Sequence, residues 1–387
     1  MTTVSGDWLT SAGAQSVLAM LEDSGYSAYA VGGCVRNALL DVAVADVDIS
    51  TNARPQTVIE LAKKAGLRSV PTGVDHGTVT VVAEGEGYEV TTFRADIETD
   101  GRRAVVQFSD DIGQDAIRRD FTMNALYADR RGLVLDPLGG LPDLRARHLR
   151  FIEDADLRIR EDYLRILRFF RFFAWFGDPE AGMDADALAA IAGNLDGLSQ
   201  LSRERVGSEM IKLLSAADPV MAVAVMEQTG VLMQILPGAV SRSLGPLILH
   251  ETTLSLAPNA LRRLAVMGFS DGPSLRLSKA QQRQLDLYRS LIGATEPPKV
   301  IAYRHGAKVA TEAIALQAAS FEHPLTLPDV PSLQAAASFR FPVIAADLMP
   351  EISGAALGRT LKHLENLWIA SDFTLGKEAL LALRGEG

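Results

Sequence analysis

The spacing of apolar and polar positions divides the 387-residue chain into two unlike parts. Residues 10–24 have apolar side chains at helical spacing, and a short apolar run at 28–33 and the segment 46–50 predict two strands. Residues 78–93 alternate between apolar and polar over two segments that meet at Gly85-Glu86-Gly87, which predicts a hairpin. Strands and helices interleaved in this order predict a mixed α/β layer for the first part.

Helical spacing dominates the rest of the chain. Residues 156–176 are rich in leucine, phenylalanine and arginine and predict one long helix. The polar residues 94–113 predict a mobile loop or a short excursion rather than a core element. Further helices are predicted at about 183–194, 203–216, 218–229, 256–267, 278–293, 306–321, 355–371 and 374–384. The predicted architecture is an α/β head at residues 1–138, followed by an all-α neck at 139–200 and an all-α body and tail at 201–387.

Composition indicates the cellular compartment in which this protein is expected. Hydrophobic residues make up 48% and charged residues 22%, as in ordinary globular proteins, and no apolar run is long enough to span a bilayer. The N-terminal sequence has neither the basic nor the apolar region of an export signal. The single cysteine, Cys34, excludes an intramolecular disulfide framework and fits a reducing compartment. These observations predict a cytoplasmic protein without a membrane partner.

Charge is unevenly distributed along the chain. The net charge of −10 argues against a protein that binds nucleic acid over its whole surface, but it leaves room for a local basic surface. Arginines are concentrated between residues 145 and 171, next to several acidic residues. Charge alone favours ordinary helix faces with surface ion pairs for this region. Its function therefore depends on the spacing of particular residues.

Two glycines after the first strand form a candidate phosphate site. Backbone N–H groups of a glycine turn that opens a helix can bind phosphate, and Arg36, one turn into that helix, can contact the outer phosphate oxygens. Gly32 and Gly33 alone are weak evidence, because glycines end strands in many folds for steric reasons. Cys34, which follows them, is interpreted as a small packing residue rather than a nucleophile.

Asp46 and Asp48 are candidate metal ligands. Residues two apart on a strand project to the same face, so the two carboxylates are expected to lie side by side, at the same end of the sheet as the glycine turn. Carboxylate oxygens suit Mg²⁺, a common partner of phosphate substrates. Glu89, on the second strand of the predicted hairpin, is a candidate third carboxylate. The alternative for all three is a solvated position at a strand edge or hairpin.

The predicted helix at 156–176 carries a candidate pair for recognising a nucleobase. Asp162 and Arg165 are three residues apart, and Arg168 and Arg171 continue the same stripe. A carboxylate beside a guanidinium offers an acceptor and donors in one plane, which matches the exocyclic amino group and ring nitrogen of cytosine or adenine. The alternative is an ordinary ion pair within a helix.

Taken together and in this order, the motifs resemble those of the class II tRNA nucleotidyltransferases (CCA-adding enzymes) and the related bacterial poly(A) polymerases. The resemblance covers about the first 175 residues. The matching segments are Gly32-Gly33-Cys34-Val35-Arg36, Asp46-Val47-Asp48-Ile49-Ser50-Thr51, Glu89-Val90-Thr91-Thr92-Phe93-Arg94, Arg118-Arg119-Asp120-Phe121-Thr122-Met123-Asn124-Ala125 and Glu161-Asp162-Tyr163-Leu164-Arg165-Ile166-Leu167-Arg168-Phe169-Phe170-Arg171.

The resemblance implies a polymerase-β-like nucleotidyltransferase head with a mixed sheet, followed by a helical neck, body and tail. It implies that Asp46 and Asp48 bind Mg²⁺, with Glu89 as a third catalytic carboxylate. The residues for which it implies contact with the nucleotide are Gly32, Gly33, Arg36, Arg119, Asp162, Arg165, Arg168 and Arg171. Within this set, Asp162 and Arg165 are the expected readers of the incoming base.

The functional hypothesis from the sequence is template-independent addition of C, C and A to the 3′ end of tRNA. CTP and ATP would be the nucleotide substrates, and pyrophosphate would leave. An enzyme of the same family that adds only A, a poly(A) polymerase and a non-catalytic RNA-binding relative remain open. The tail is not strongly basic, which favours the CCA-adding hypothesis over the poly(A) polymerase. The sequence leaves open whether the protein is a monomer or a homodimer.

Overall fold

The structure is a computed structural model that describes residues 1–100 and 103–384. The centre of the polar segment, at 101–102, and the last tail residues, 385–387, were part of the predictions above and lie outside the described residues. No helix within the described residues is both long enough and apolar enough to cross a membrane.

The chain divides into two compact units. The first unit contains Met1–Arg242 and Pro258–Gln282, and the second contains Ser243–Ala257 and Arg283–Gly387. The predicted boundaries between head, neck and body, near residues 138 and 200, both fall inside the first unit. They are divisions by role rather than by compactness, so they stay predictions.

Within the described residues, strands occur only up to residue 135, as expected for an α/β head followed by helices. The strands are β1 (Ala28–Val31), β2 (Asp48–Thr51), β3 (Arg68–Gly73), β4 (Thr78–Ala83), β5 (Glu86–Thr92), β6 (Arg94–Asp100), β7 (Arg103–Phe108), β8 (Tyr127–Ala128) and β9 (Val134–Leu135). The helices are α1 (Asp7–Thr10), α2 (Ala12–Glu22), α3 (Gly33–Leu39), α4 (Pro55–Lys64), α5 (Ile112–Ile117), α6 (Leu141–Arg145), α7 (Ala155–Glu161), α8 (Leu164–Phe176), α9 (Ala185–Gly193), α10 (Arg203–Leu214), α11 (Val220–Gln228), α12 (Val231–Ile235), α13 (Leu244–Thr253), α14 (Ala260–Val266), α15 (Lys279–Ile292), α16 (Pro298–His305), α17 (Ala307–Phe321), α18 (Val330–Ser338), α19 (Gly354–Ala370) and α20 (Lys377–Ala382).

The head is built on a mixed sheet whose strand order is β3-β4-β5-β2-β1-β8-β9. Only the β2–β5 pair is parallel among these neighbours, and it aligns Asp48 with Glu89. Helices α2 and α4 pack on β4 and β5, where alternate residues Val79 and Val81 are fully buried. A second apolar cluster, which includes Val31 and the Tyr127 ring, packs beside β1 and β8. The predicted α/β head with a mixed sheet is confirmed.

The predicted hairpin is also confirmed, with its turn one residue earlier than expected. β4 and β5 pair from Thr78 opposite Thr91 to Ala83 opposite Glu86. Glu84 and Gly85 both have positive φ, at 51° and 84°, which is the backbone of a two-residue hairpin turn that matches strand twist.

Of the two alternatives for residues 94–113, the mobile loop is wrong for the described part of that segment, which forms a short excursion outside the head sheet. β6 and β7 pair antiparallel with each other as a separate two-stranded sheet, and α5 begins at Ile112. A two-stranded ladder satisfies backbone groups without needing an apolar face. Strands β6 and β7 therefore lack the hydrophobic alternation by which strands are predicted from sequence.

The prediction of one helix at 156–176 is wrong as well. The helix is interrupted at Asp162 and Tyr163, where Asp162 has extended backbone angles and ends α7. The Asp162 carboxylate accepts a hydrogen bond from the backbone N of Leu164 at 3.1 Å, which favours a turn at this point over a continuous helix.

Among the helices that the structure describes after residue 200, α12, α13, α16 and α18 were not predicted. For α16 the reason is explicit: Pro297 and Pro298 suggest a helix break, yet Pro298 is the first residue of the helix, where its missing N–H costs nothing. In α18 a proline also follows the helix start, and the Asp329 side chain caps the helix by accepting from Ser332 N.

Helices form the core of the second unit. In α19 and α20, Leu364, Trp368 and Leu380 are buried in one apolar cluster with Val343 and Leu348. A second cluster joins α16, α17 and α18 through alanine-rich surfaces. The helical remainder that the sequence predicted is confirmed.

Candidate active site

The glycine turn and Asp48 lie at the same end of two neighbouring strands, as the sequence predicted. Ala30 pairs with Ile49 across β1 and β2, so the turn that follows β1 lies beside the start of β2. Gly32 has a φ of +71°, a conformation that costs glycine little and other residues more. A Cβ atom on Gly32 would lie 3.4 Å from Nη1 of Arg119. The turn therefore brings together glycine backbone, a carboxylate and a guanidinium.

Arg36 is buried, with only 7% of its surface exposed, rather than open to the solvent side of the turn. Its Nη1 donates to Oδ1 of Asn124 at 2.6 Å, and its Nε and Nη2 donate to Oδ1 of Asn37. Its Cζ lies 4.0 Å from the centre of the Phe176 ring and 5.0 Å from that of Phe172. Burial lowers the pKa of Arg36 to about 10. In this structure the guanidinium joins α3 to α8, and its contact with phosphate stays a prediction.

The three candidate carboxylates are all exposed, and two of them are neighbours in the sheet. Asp48 begins β2 and is aligned with Glu89 of β5. The prediction that Asp46 also lies on the strand is wrong, since it belongs to the loop before β2, where the ladder has not yet begun. The pKa of Asp48 is raised by desolvation and by the negative charge of Glu89 and Asp46, although Arg119 opposes this. The site therefore holds excess negative charge.

The candidate carboxylates provide the oxygen atoms that a divalent cation binds, but they do not form a closed set of ligands. No group of three or more His, Cys, Asp or Glu side chains within the described part of the chain is arranged closely enough to hold a metal ion. Nevertheless, Asp46 and Asp48 offer exposed carboxylate oxygens, the donors that Mg²⁺ prefers, in a place where negative charges repel one another. Glu89 is close enough to act on Asp48, and its role as a third carboxylate stays a prediction.

Arg119 is held by a buried hydrogen-bond network around Asp115. The Asp115 carboxylate is fully buried, and its Oδ2 accepts from Arg119 Nη2 at 3.0 Å, from the Tyr127 hydroxyl at 2.9 Å and from the Ser50 hydroxyl at 3.2 Å. Its Oδ1 accepts from Arg118 Nε at 2.9 Å. Burial alone would raise the pKa of Asp115, but the charges of Arg119 and Arg118 and the Tyr127 hydrogen bond lower it to about 2.

The depressed pKa of Asp115 predicts a loss of stability in acid. Because the folded pKa of about 2 lies below the ordinary value of 3.8, the ionised carboxylate stabilises the folded state above pH 4. That contribution is lost as the pH falls from about 4 to about 2. Urea unfolding should be measured for wild type and Asp115→Asn between pH 2 and pH 6. The difference between their free energies of unfolding should become smaller as the pH is lowered from about 4 to about 2. A difference that does not change with pH would contradict the assignment.

Asp120 connects the head to α8. Its Oδ2 accepts from Arg168 Nε at 2.7 Å and Nη2 at 2.5 Å, and its Oδ1 accepts from Asn124 Nδ2 at 3.0 Å. Because Asn124 in turn accepts from Arg36, one hydrogen-bonded chain runs from Arg168 to Arg36. Arg168, a predicted nucleotide contact, is thus fixed by a buried carboxylate, and about a third of its side chain stays exposed.

The predicted pairing of Asp162 with Arg165 is replaced by pairings with other residues. The Asp162 Oδ2 accepts from Arg205 Nη2 of α10 at 2.6 Å, and a third of its side chain is exposed. Arg165 donates to Glu161 at 2.5 Å and to the backbone carbonyls of Arg158 and Arg118. The interruption of the helix at Asp162 explains the change, since the two side chains no longer share a continuous helical face.

Arg171 completes the arginine stripe on α8 by pairing with an acidic residue of α10. Its Nε lies 2.7 Å from Oε2 of the buried Glu209. Its Cζ lies 4.4 Å from the centre of the Phe172 ring, which also contacts Arg36 and Arg168. Burial lowers the pKa of Arg171, while the charge of Glu209 opposes this. Three guanidinium groups therefore surround one phenylalanine next to the head.

Several residues of this site were missed in the sequence. Arg205 and Glu209 lie far along the chain from their partners, and no local pattern marks them. Ser50 and Tyr127 are polar groups inside strands, a position that alone indicates nothing about function. Asp115 had a usable signal, because an acidic residue three positions before Arg118 in a short helix can pair with it. Cys34 is buried and its pKa is raised to about 11 by burial, in agreement with a packing role.

Two segments of the first unit match known protein families. Residues 28–150 match the family described as the poly(A) polymerase head domain. Residues 182–241 match the family described as the probable RNA and SrmB-binding site of polymerase A.

Among curated relatives, the CCA-adding enzyme of Geobacillus thermodenitrificans is 41% identical over 227 residues, which is 58% of this chain and 54% of the relative. The mitochondrial CCA tRNA nucleotidyltransferase 1 of Mus musculus is 40% identical over 204 residues, which is 52% of this chain and 47% of the relative. The chain thus matches about half the length of these relatives.

The fold comparison extends over nearly the whole chain. The solved structure of the Bacillus stearothermophilus CCA-adding enzyme in complex with CTP is similar with a TM-score of 0.72 at 25% identity. The similarity covers 97% of this chain and 96% of that one. With the motifs, the head sheet and the helical remainder all in agreement, residues 28–150 form a head domain of the poly(A) polymerase family, and the fold over nearly the whole chain is that of the solved CCA-adding enzyme.

Proposed function

We propose that this protein adds C, C and A to the 3′ end of tRNA without a template, using CTP and ATP and releasing pyrophosphate. The observation that carries the proposal is the juxtaposition of the Asp48 and Glu89 carboxylates, the Gly32 turn and the Arg119 guanidinium at one end of the head sheet. Carboxylates that can hold a cation, next to groups that can hold phosphates, are the elements that nucleotidyl transfer requires. The relatives named CCA-adding enzymes support the choice of substrate.

Asp46 and Asp48 would hold Mg²⁺ in this reaction. When bound, the ion would favour ionisation of the terminal ribose hydroxyl and stabilise charge on the departing phosphates. The contribution of the chain itself is positional: Arg119 supplies positive charge beside the glycine turn, where it would hold the phosphates for attack on the α-phosphorus in line. The ribose oxygen then forms its bond to phosphorus as the bond to pyrophosphate breaks.

Base selection is assigned to the neck, at the junction of α7 and α8. Asp162 accepts from Arg205 and from a backbone N–H, yet each carboxylate oxygen has a second lone pair and the side chain is a third exposed. It can therefore accept from the exocyclic amino group of cytosine or adenine. Arg165 would donate to the adjacent ring nitrogen after exchanging a contact with Glu161 or a carbonyl group. Arg168 and Arg171 would support the nucleotide from the same helix.

The helical residues that follow the neck would bind tRNA by shape and by its phosphate backbone. The match of residues 182–241 to an RNA-binding family supports this part of the proposal. The single cysteine supports a cytoplasmic site of action, where thiols stay reduced.

Purified protein offered three RNAs tests the function. The first is a tRNA that lacks its last three nucleotides, the second a tRNA that ends in CC, and the third an RNA unrelated to tRNA. Each is incubated with Mg²⁺ and labelled CTP or ATP, and the products are separated at single-nucleotide resolution. We expect cytidine incorporation only on the first RNA, one adenosine on the second, and nothing on the third.

Other outcomes identify the alternatives. Extension of the CC-ending tRNA alone would indicate an enzyme that adds only A. A long adenosine tail on the unrelated RNA would indicate a poly(A) polymerase. No extension of any RNA, with RNA binding retained, would indicate a non-catalytic relative and overturn the proposal.

A further inference from the structure

The three nitrogens of the Arg119 guanidinium have different surroundings. Nε donates to the Tyr127 hydroxyl at 3.1 Å, and Nη2 donates to Asp115 at 3.0 Å and to the Ser50 hydroxyl at 3.3 Å. None of the described residues accepts a hydrogen bond from Nη1, which instead faces the Gly32 turn. One edge of the guanidinium is thus occupied by protein groups, and one nitrogen is left for a ligand.

The two hydroxyl groups come from the two strands that flank β1. β2, which carries Ser50, and β8, which carries Tyr127, both pair with β1. Both residues are fully buried, so each has a single well-defined environment. The centre of the Tyr127 ring also lies 5.3 Å from the Arg119 Cζ. The ring and the hydroxyl of Tyr127 therefore both restrict the position of the guanidinium.

The Tyr127 hydroxyl acts in both directions. It accepts from Arg119 and donates to the same Asp115 oxygen that receives Arg119 Nη2 and Ser50. Burial raises the pKa of Tyr127, so the hydroxyl keeps its proton and remains a donor at neutral pH. Asp115 balances the charge of the arginine, and the two hydroxyls define the direction in which the arginine points.

We propose that Tyr127 and Ser50 are positioning residues that orient Arg119 so that its Nη1 contacts the nucleotide phosphates at the Gly32 turn. This inference rests on the proposed function, because it takes the incoming nucleotide to bind at that turn. Neither hydroxyl touches the nucleotide itself. Their effect passes through Arg119, since the guanidinium is the group to which both are bonded.

Tyr127→Phe is the central test, because it removes the hydroxyl and keeps the ring beside Arg119. We expect the dissociation constants of CTP and ATP, measured with Mg²⁺ by titration calorimetry without RNA, to rise between about twofold and tenfold, as for one hydrogen bond. The KM of both nucleotides should rise by the same factor, with kcat changed less than about twofold. Ser50→Ala should act in the same direction. Tyr88→Phe, which removes a hydroxyl bonded to Glu86 elsewhere in the head, is the matched control and should leave both constants unchanged.

A double-mutant cycle separates positioning from a merely structural effect. If Tyr127 acts through Arg119, Tyr127→Phe should cause no further loss of nucleotide affinity in an Arg119→Ala background. Equal losses in both backgrounds would overturn the inference. Should Arg119→Ala fail to fold, Arg119→Lys serves as the background, since it keeps a positive charge near Asp115.

The measurements of CTP and ATP affinity also distinguish failure of this inference from failure of the proposed function. Wild-type protein that binds CTP and ATP but extends no RNA would overturn the function while the cycle still decides the role of Tyr127. Unchanged affinity in Tyr127→Phe, with loss in Arg119→Ala, would overturn the inference alone. Failure of the wild type to bind either nucleotide would overturn both.

Discussion

Replacing Asp48 with alanine is expected to reduce nucleotide incorporation at least about a thousandfold while leaving the fold intact. Loss of a cation that stabilises the transition state costs several kcal/mol, and each 1.4 kcal/mol corresponds to about a factor of ten in rate. The fold should tolerate the change, because Asp48 is exposed and its neighbours Glu89 and Asp46 repel it. We therefore expect its free energy of unfolding to change by less than about 0.5 kcal/mol. Single-turnover incorporation of labelled CTP and urea unfolding measure the two quantities.

The matched control for this experiment is Asp75→Ala. Asp75 is also an exposed aspartate of the head, next to the start of β4, and we assign it no role in the site. It should retain incorporation within about twofold of wild type, within the range of a neutral surface change. Asp46→Ala should resemble Asp48→Ala in activity. If Asp48→Ala retained a tenth or more of the wild-type rate, the assignment of this carboxylate to the reaction would be wrong.

The parts of the head that the sequence predicts are those that depend on local patterns. The β4–β5 hairpin follows from alternation along sixteen residues, and the glycine turn follows from two residues between a strand and a helix. The alignment of Asp48 with the turn was also predictable, because consecutive short strands tend to be neighbours in one sheet. Glu89 was a candidate third carboxylate from the sequence, but its alignment with Asp48 was not predicted, since local patterns do not specify which strands pair in parallel.

What the sequence could not predict depends on partners distant along the chain. The three-residue spacing predicts a pair between Asp162 and Arg165, but the helix is interrupted between them and Asp162 pairs with Arg205 of α10. Arg36 appeared free to reach phosphate, but Phe172 and Phe176 of α8 cover it. A motif specifies which residue types are present. The packing of α8 and α10 against the head decides which of their polar groups remain available to a ligand.

Replacing Asp120 with alanine is expected to cost the first unit about 3–5 kcal/mol of stability, the range for removing one partner of a buried ion pair. The Asp120 carboxylate is 8% exposed and accepts four hydrogen bonds, two of them from Arg168. Burial alone would raise the pKa of Asp120, yet the charge of Arg168 and the hydrogen bond from Asn124 lower it. Removal leaves the Arg168 guanidinium without its counter-ion and loosens Asn124, which holds Arg36.

The measurement is urea unfolding followed by the fluorescence of Trp8 and Trp175, with Trp368 of the second unit replaced by phenylalanine. Glu204→Ala is the control, because it removes the acid of an ion pair with Arg276 in the same unit whose side chains are both more than half exposed. That variant should lose at most about 1 kcal/mol, since water already screens the pair. Similar losses in the two variants would mean that the Asp120–Arg168 pair does not hold α8 against the head. The larger loss expected for Asp120 follows from the burial of its pair with Arg168 and from the hydrogen bonds that it also accepts from Asn124 and the Phe121 backbone.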